Sequence, residues 1–348
     1  MITLSNSSTN QSIFRNEYNS INSQLNSIER EINEFLSILT RMDTYSIEIP
    51  SGLTNIRSQS YVYFGKLEEE TNSLIDNWLK VRHSYLTIAK RLQDYLPQIQ
   101  SLRNRLMRLS NAQGTQSDFV RLRNIRFEAN SLDAVVKSLI SEVRTSIKNV
   151  EDRFRQISSR IYMIETALKQ LNYASFRLMD GENIVCAYEA KLLETKEKGT
   201  IYITDKRFIF ESVKEIPLKK VLFITTKKKI VREVKYDIPI GYIYRVNKGK
   251  VGFFARGGIF IDFRQGAPVE KLVFDLKDYL IDYIIGDINY VLSGQADKEK
   301  LIGPKEVISQ RIPRVIKCPV CGAPVKQEIV RGMTSIKCQY CGATIQLQ

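Results

Sequence analysis

Through roughly the first 170 residues the apolar side chains step by four and three positions, the spacing that returns a residue to one stripe of an α-helix every two turns. A chain patterned in this way is committed to long rods. Phe14, Tyr18, Ile21, Leu25, Ile28, Ile32, Phe35, Leu39 and Met42 make the first stripe, after a polar lead, residues 1–12, that reads as disordered. Pro50 and Gly52, in YSIEIPSGLTN, predict a break. The second stripe runs from Leu67 through Leu74, Trp78, Tyr85, Leu92 and Ile99 to Leu109, with Thr71 its polar member and Pro97 on the outer face, which predicts one bent helix. Beyond the loop around Gly114, a third helix with Asp118 as N-cap carries Leu132, Val136, Leu139, Val143 and Ile147 onward to Leu171, with a stutter at Val143–Ile147. Residues 13–175 thus read as an antiparallel coiled-coil arm of three helices. Two of about 50 residues reach about 75 Å, and a first helix of about 28 residues braces only half of that length.

The uncovered distal half predicts an occupant, either a second copy making a homodimer or another protein. Arg103, Arg105, Arg108, Arg121, Arg123 and Arg126 flank its tip, with Asp118 the one acid among them. They either solvate a helical face with their stems over apolar surface, or dock an anion such as RNA, a ribosome or a membrane. His83, the lone histidine, faces outward without a neighbouring nucleophile, and no glycine-rich phosphate loop occurs, so no catalytic residue is assigned. The opening residues lack the basic and apolar blocks of a secretory signal, and no window approaches the roughly 20 apolar residues of a membrane span. The expected location is cytoplasmic, peripheral at a membrane.

From Asn183 the pattern changes to short β-rich runs divided by Gly, Lys or Asp turns. In KGTIYITDKRFIF, residues 198–210, Ile201, Ile203, Phe208 and Phe210 alternate around an Asp205–Lys206 turn, a hairpin with one buried face. Seven or eight such runs predict a small antiparallel barrel or sandwich. A helix starting near Gly266 and carrying Val269, Leu272, Leu276, Ile284, Ile288 and Val291 would close it. Cys186 reads as a small buried hydrophobe.

The pair GE at 181–182, GTIYITDKRFIF and IPLKKV at 216–221 resemble the GRAM branch of the pleckstrin-homology (PH) superfold over residues 176–292, with Asp205 where that family more often has Asn. The resemblance implies a non-enzymatic module that binds lipid heads or proteins. Candidate residues for an anion or lipid head are Lys206, Lys219, Lys220, Lys227, Lys228, Lys229, Arg232 and Lys235, with Lys227–Lys229 on an expected loop. The bland alternative is that these lysines keep an edge strand solvated.

A linker, 293–311, leads to Cys318 and Cys321, then Cys338 and Cys341: two CxxCG knuckles separated by 16 residues. Each turn aims two thiolates at one centre while its glycine lets amides approach the sulfurs, so residues 312–348 resemble a rubredoxin-type zinc ribbon. Four thiolates fill a tetrahedral shell, so the expected cofactor is one structural zinc per chain, iron being the other occupant of such a set. Arg311, Arg314, Lys317, Lys326, Arg331 and Lys337 make this segment basic within a chain of net charge +14, which suits acidic partners.

The whole reads as a multidomain α plus β protein: helical arm, GRAM-like barrel with C-terminal helix, zinc ribbon. The expected function is an adaptor at a membrane surface or membrane-associated complex, recruiting proteins through arm and ribbon. The alternative is a nucleic-acid or ribosome-associated protein using ribbon and arginine tip.

Overall fold

A computed structural model describes residues 2–221, 224–252, 255–301, 317–325, 327 and 329–347, without the side chains of 2–9, 217–221 and 224–228. The chain divides into two compact units, Met1–Ser51 with Glu68–Ser158, and Gly52–Leu67 with Ser159–Gln348. No helix among the described residues is long and apolar enough to cross a membrane.

The helical elements are α1 (Ile2–Ser58), α2 (Leu67–Gln93), α3 (Leu96–Met107) and α4 (Gln116–Leu171). Their stripes form the core of the first unit, where Ile21, Leu25, Ile28, Ile32, Met42, Trp78, Leu92 and Val136 are fully shielded. Cross-links set the directions. Glu17 meets Arg126 and Glu151 meets Arg41, so α1 and α4 run parallel, while Asp43–Arg82 and Glu29–Arg103 place α2 and α3 antiparallel to α1. The polar seam residue Thr71 is buried as the pattern requires, its hydroxyl unpaired among the described residues.

Three expectations fail here. The lead 1–12 is helical from Ile2, and α1 runs through Pro50 and Gly52 without ending. The stripe simply continues, with Ile49, Leu53 and Ile56 all buried. Gly52 is a contact glycine and not a breaker, because a Cβ there would lie 2.8 Å from the Ile161 side chain of α4. The first helix is therefore 57 residues long. Phe14 stacks edge-on against Phe119 at 5.5 Å, and Asn10 approaches Gly114, so α1 reaches the α3–α4 loop. The bare distal hairpin, and with it the flank awaiting a second copy, does not exist.

The second rod is two helices. α2 stops at Gln93 and Pro97 falls in the first turn of α3, where its missing N–H leaves no intrahelical bond unmade. The N-cap of α4 is Thr115 rather than Asp118. Its hydroxyl accepts from the Asp118 amide at 3.2 Å while the Asp118 carboxylate accepts from the Thr115 amide at 3.0 Å, a reciprocal capping box.

The second unit is built on seven antiparallel strands: β1 (Ile184–Leu192), β2 (Lys198–Thr204), β3 (Arg207–Val221), β4 (Ile224–Pro239), β5 (Ile243–Val251), β6 (Arg256–Phe263) and β7 (Lys271–Asp275). Their order, β4-β3-β2-β1-β7-β6-β5, leaves β4 and β5 as edges, so the sheet is open and not a closed barrel. The β2–β3 hairpin pairs Ile203 with Phe208 and Ile201 with Phe210, as the alternation requires. Both of its faces are covered, however: Tyr202 and Ile209 are as buried as Ile201 and Phe210. Phe210 and Phe208 meet Phe274 of β7 at 5.1 and 6.0 Å.

The closing helix starts later than expected. Leu272, Phe274 and Leu276 are buried by strand alternation, and α5 spans only Asp278–Leu292. Within the linker, α6 (Gln295–Lys298) buries Ala296, and the Leu301 amide bonds to the Val62 carbonyl at 2.8 Å.

Candidate metal centre and basic surfaces

Two copies of one turn build the cysteine cluster. In the first, the Gly322 amide donates to the Cys318 carbonyl at 2.9 Å and the Cys318 amide to the Ala323 carbonyl at 2.8 Å. In the second, Gly342 donates to Cys338 and Cys338 to Ala343, each at 2.9 Å. Gly322 and Gly342 both sit at φ +73, a left-handed conformation that a side chain would strain. A short hairpin, β8 (Ser335–Lys337) and β9 (Thr344–Gln346), carries the second knuckle back to the first.

All four sulfurs lie within 4.8 Å of one another. A tetrahedral ion with metal–sulfur bonds of about 2.3 Å places its ligands about 3.8 Å apart. The pairs Cys318–Cys341 and Cys321–Cys338 stand at 3.8 and 3.7 Å, so the set fits such an ion. The crowded thiols are shifted in opposite directions. Amides of Cys341 and Tyr340 aimed at Cys338 pull its thiol down to about 6. At Cys321 the Ala323 amide also pulls downward, but the crowd of neighbouring thiols, Cys341 foremost, pushes it to about 12. Four cysteines that together can hold a metal leave no coordination position for substrate.

Three of the described side chains expected to bind an anion have partners of their own. Lys206 donates to the Asp180 carbonyl at 2.7 Å; Arg232 pairs with buried Glu211 at 2.9 Å; Lys235 pairs with Glu233 at 2.7 Å and reaches Glu197 at 3.6 Å. Lys227–Lys229 are not on a loop. They lie in β4, with Lys229 opposite Ile216, Lys228 opposite Pro217 and Lys227 opposite Lys219. The side chains of Lys219, Lys220, Lys227 and Lys228 lie outside the described residues, and Lys229 is exposed. Sequence reasoning missed Lys214, which meets Glu197 at 2.5 Å.

The arginine tip divides in half. Arg103 binds Glu29, Arg105 holds Glu128 through two nitrogens at 2.7 and 2.8 Å, and Arg126 binds Glu17. Arg108, Arg121 and Arg123 are exposed and have no ion pair among the described residues. Of the basic ribbon residues, Arg311, Arg314 and Lys326 lie outside the described residues, Lys317 and Lys337 are exposed, and Arg331 is engaged by the sheet domain.

No family model and no curated protein matches the chain. Solved structures give weak alignments. The C-terminal domain of an unknown protein from Leishmania infantum aligns at 14% identity and TM-score 0.23, over 33% of this chain and 87% of that one. The Vps36 N-terminal PH domain aligns at 13% and 0.23, over 34% and 85%. The linker-DH/PH domains of p115-RhoGEF align at 10% and 0.22, over 79% and 100%. Two of the three are described as PH domains, at scores too low to fix a fold or a partner.

The GE motif has a structural task. The Glu182 carboxylate, fully shielded, accepts from Arg207 Nε and Nη2 at 2.9 and 2.7 Å, from Thr204 Oγ1 at 2.6 Å and from the Met179 amide at 2.7 Å. Burial alone would raise its pKa, but the bonds from Arg207, Thr204 and Met179 outweigh it and hold the group below its usual 4.5. A depressed carboxylate contributes stability above its unfolded pKa and loses that contribution as pH falls through the folded one. Glu182→Gln should therefore lower the thermal midpoint at neutral pH, with the gap to wild type narrowing below pH 4.5. Thermal melts across a pH series read this, and a gap constant with pH would contradict it.

Proposed function

We propose that the protein is a non-enzymatic adaptor whose PH/GRAM-like sheet domain attaches to an anionic membrane surface, while a zinc ribbon of the rubredoxin type and the helical arm, as a coiled coil, recruit protein partners. Such a protein works in the cytoplasm, peripheral at the membrane. Cys318, Cys321, Cys338 and Cys341 are its zinc ligands, one ion per chain.

The observation that carries the membrane reading is the overhang of β3 and β4. Pairing of β2 with β3 stops at Gly199–Ser212, so from Val213 to Val221 strand β3 has only β4 beside it. This two-stranded ribbon carries Lys219, Lys220, Lys227, Lys228 and Lys229, and no acid occurs from Ile216 to Arg232. Like charges at directly opposed positions, as at Lys219 and Lys227, weaken strand pairing. An anionic partner relieves that repulsion, whereas mere solvation would be served by mixed charge.

Reversing Lys227, Lys228 and Lys229 to Glu should weaken binding to phosphatidylserine vesicles by about 1 kcal/mol or more per residue. Vesicle co-sedimentation measures it. Unchanged binding by the variant would reduce these lysines to a solvated edge, and no binding by wild type would remove the membrane reading.

A second reading, nucleic-acid or ribosome association, draws on the exposed Arg108, Arg121 and Arg123. Ribosomal components or RNA that co-purify and disappear after nuclease treatment would favour it over the first.

A further inference from the structure

Between the two cysteine knuckles the chain makes a turn, Val330 to Met333, closed by the Met333 amide on the Val330 carbonyl at 3.2 Å and bent at Gly332, φ +88. This turn is seated in the sheet domain. Arg331 Nε donates to the Asp205 carbonyl at 2.7 Å, and its two terminal nitrogens grip the Asp297 carboxylate at 2.6 and 2.8 Å. Nη1 also reaches the Val291 carbonyl at 3.2 Å, at the end of α5. In return, the Arg331 carbonyl accepts from the Gly241 amide at 3.0 Å. The fit is close enough to need glycine on both sides. A Cβ on Gly332 would lie 1.9 Å from the Lys206 carbonyl, and one on Gly241 would lie 2.4 Å from the Arg331 amide.

We propose that the metal centre works as a latch: metal bound by the four cysteines holds the Val330–Met333 turn in shape, and the turn locks the ribbon onto the β2–β3 turn, the Ile240–Tyr242 turn and α6. The proposal rests on the zinc reading above but goes beyond adaptor function, since it makes the placement of the ribbon depend on metal. The reason is sequence position. The turn lies between Cys321 and Cys338, so it is framed only while the knuckles are held together, and the buried ribbon core comprises Cys318, Ile336, Cys338 and Ile345, two of them ligands. Without the metal nothing holds the two knuckles together, and Arg331 loses the framework that presents it to Asp297.

Hydrogen exchange on the full-length protein tests this at one amide. Zinc-loaded protein, the same protein depleted by a chelator, and zinc-loaded Gly332→Ala are compared, with zinc measured in each sample. The Gly241 amide should exchange about tenfold faster or more after depletion, and likewise in Gly332→Ala that retains its zinc. Ile240, whose amide bonds to the Lys206 carbonyl within the sheet domain, should stay protected. Arg331→Ala, which keeps the backbone free of strain, should show the same direction if Gly332→Ala does not fold. Equal Gly241 exchange with and without zinc overturns the latch alone, and so does equal acceleration at Ile240, which would mean general unfolding. A purified chain with no zinc overturns the metal reading and the latch together.

Discussion

Cys318→Ser or Cys338→Ser is expected to abolish metal binding and to unfold residues 317–347 while leaving the sheet domain folded. Among the described residues the ribbon's own core buries two aliphatic side chains, Ile336 and Ile345, with Val325, Ile329, Met333 and Leu347 partly covered, while buried Val330 faces Gly241 of the sheet domain. Full burial of an aliphatic side chain contributes about 1.5–3 kcal/mol, whereas ordering each residue costs about 1–2 kcal/mol. Roughly thirty residues cannot be ordered on that basis. A structural zinc contributes about 10–16 kcal/mol of apparent binding energy to such folds. Elemental analysis should find about one zinc in the wild-type chain and none in the variants, with exchange protection lost at Ile336 and Ile345 and kept at Ile203 and Phe210. A variant that keeps its metal and its protection would contradict the four-thiolate centre. Unfolding of the ribbon would also deprive the Gly241 amide of its acceptor, the Arg331 carbonyl.

Asp287→Ala should destabilise the sheet domain by about 3–5 kcal/mol, the cost of leaving a buried charge without its partner. Asp287 of α5 is 1% exposed and accepts from Arg160 Nη1 at 2.7 and 3.0 Å and from the Tyr188 hydroxyl. Burial pushes the Asp287 pKa up, and Arg160 and Tyr188 pull it back. Arg160, from the last turns of α4, is itself held between the rings of Phe64 and Tyr283, at 4.6 and 5.0 Å. Removing the carboxylate strands a mostly buried guanidinium. Arg160→Met in the Asp287→Ala background should recover much of the loss, because an apolar chain of similar length meets the same rings without a charge. Denaturant unfolding of both variants decides this. A single-variant cost under about 1 kcal/mol would show that water reaches the pair.

Where a residue's role depends only on near neighbours in the chain, it could be read directly. The four-and-three stripes, the β2–β3 hairpin and the CxxCG knuckles are local patterns, and each stands where its spacing puts it. Where the role depends on a distant partner, reading failed. Pro50 and Gly52 look like a helix end until Ile161 is seen against Gly52. Leu272 and Leu276 satisfy a helix spacing of four as well as a strand spacing of two, and pairing of Phe274 with Ile259 of β6 decides for the strand. Arg103, Arg105 and Arg126 look like a basic patch until Glu29, Glu128 and Glu17 arrive from other helices or turns. Glu182 and Arg207 both fall in stretches singled out by family resemblance, yet that they form one buried ion pair appears only in three dimensions.

Elements whose driving force is periodic or covalently close are legible along the chain: long amphipathic helices from apolar spacing, a β-rich second half, and a metal-competent quartet of thiols from paired CxxC turns. Which charges remain available is set by contacts made on folding. Arg331, Arg232, Lys235 and half of the arginine tip have carboxylate partners, while Lys229, Arg108, Arg121 and Arg123 stay exposed. The physical reason is that a stripe of burial is repeated along one chain and so is written many times over. A salt bridge is a single contact between residues as far apart as Arg160 and Asp287, and no spacing along the chain encodes it.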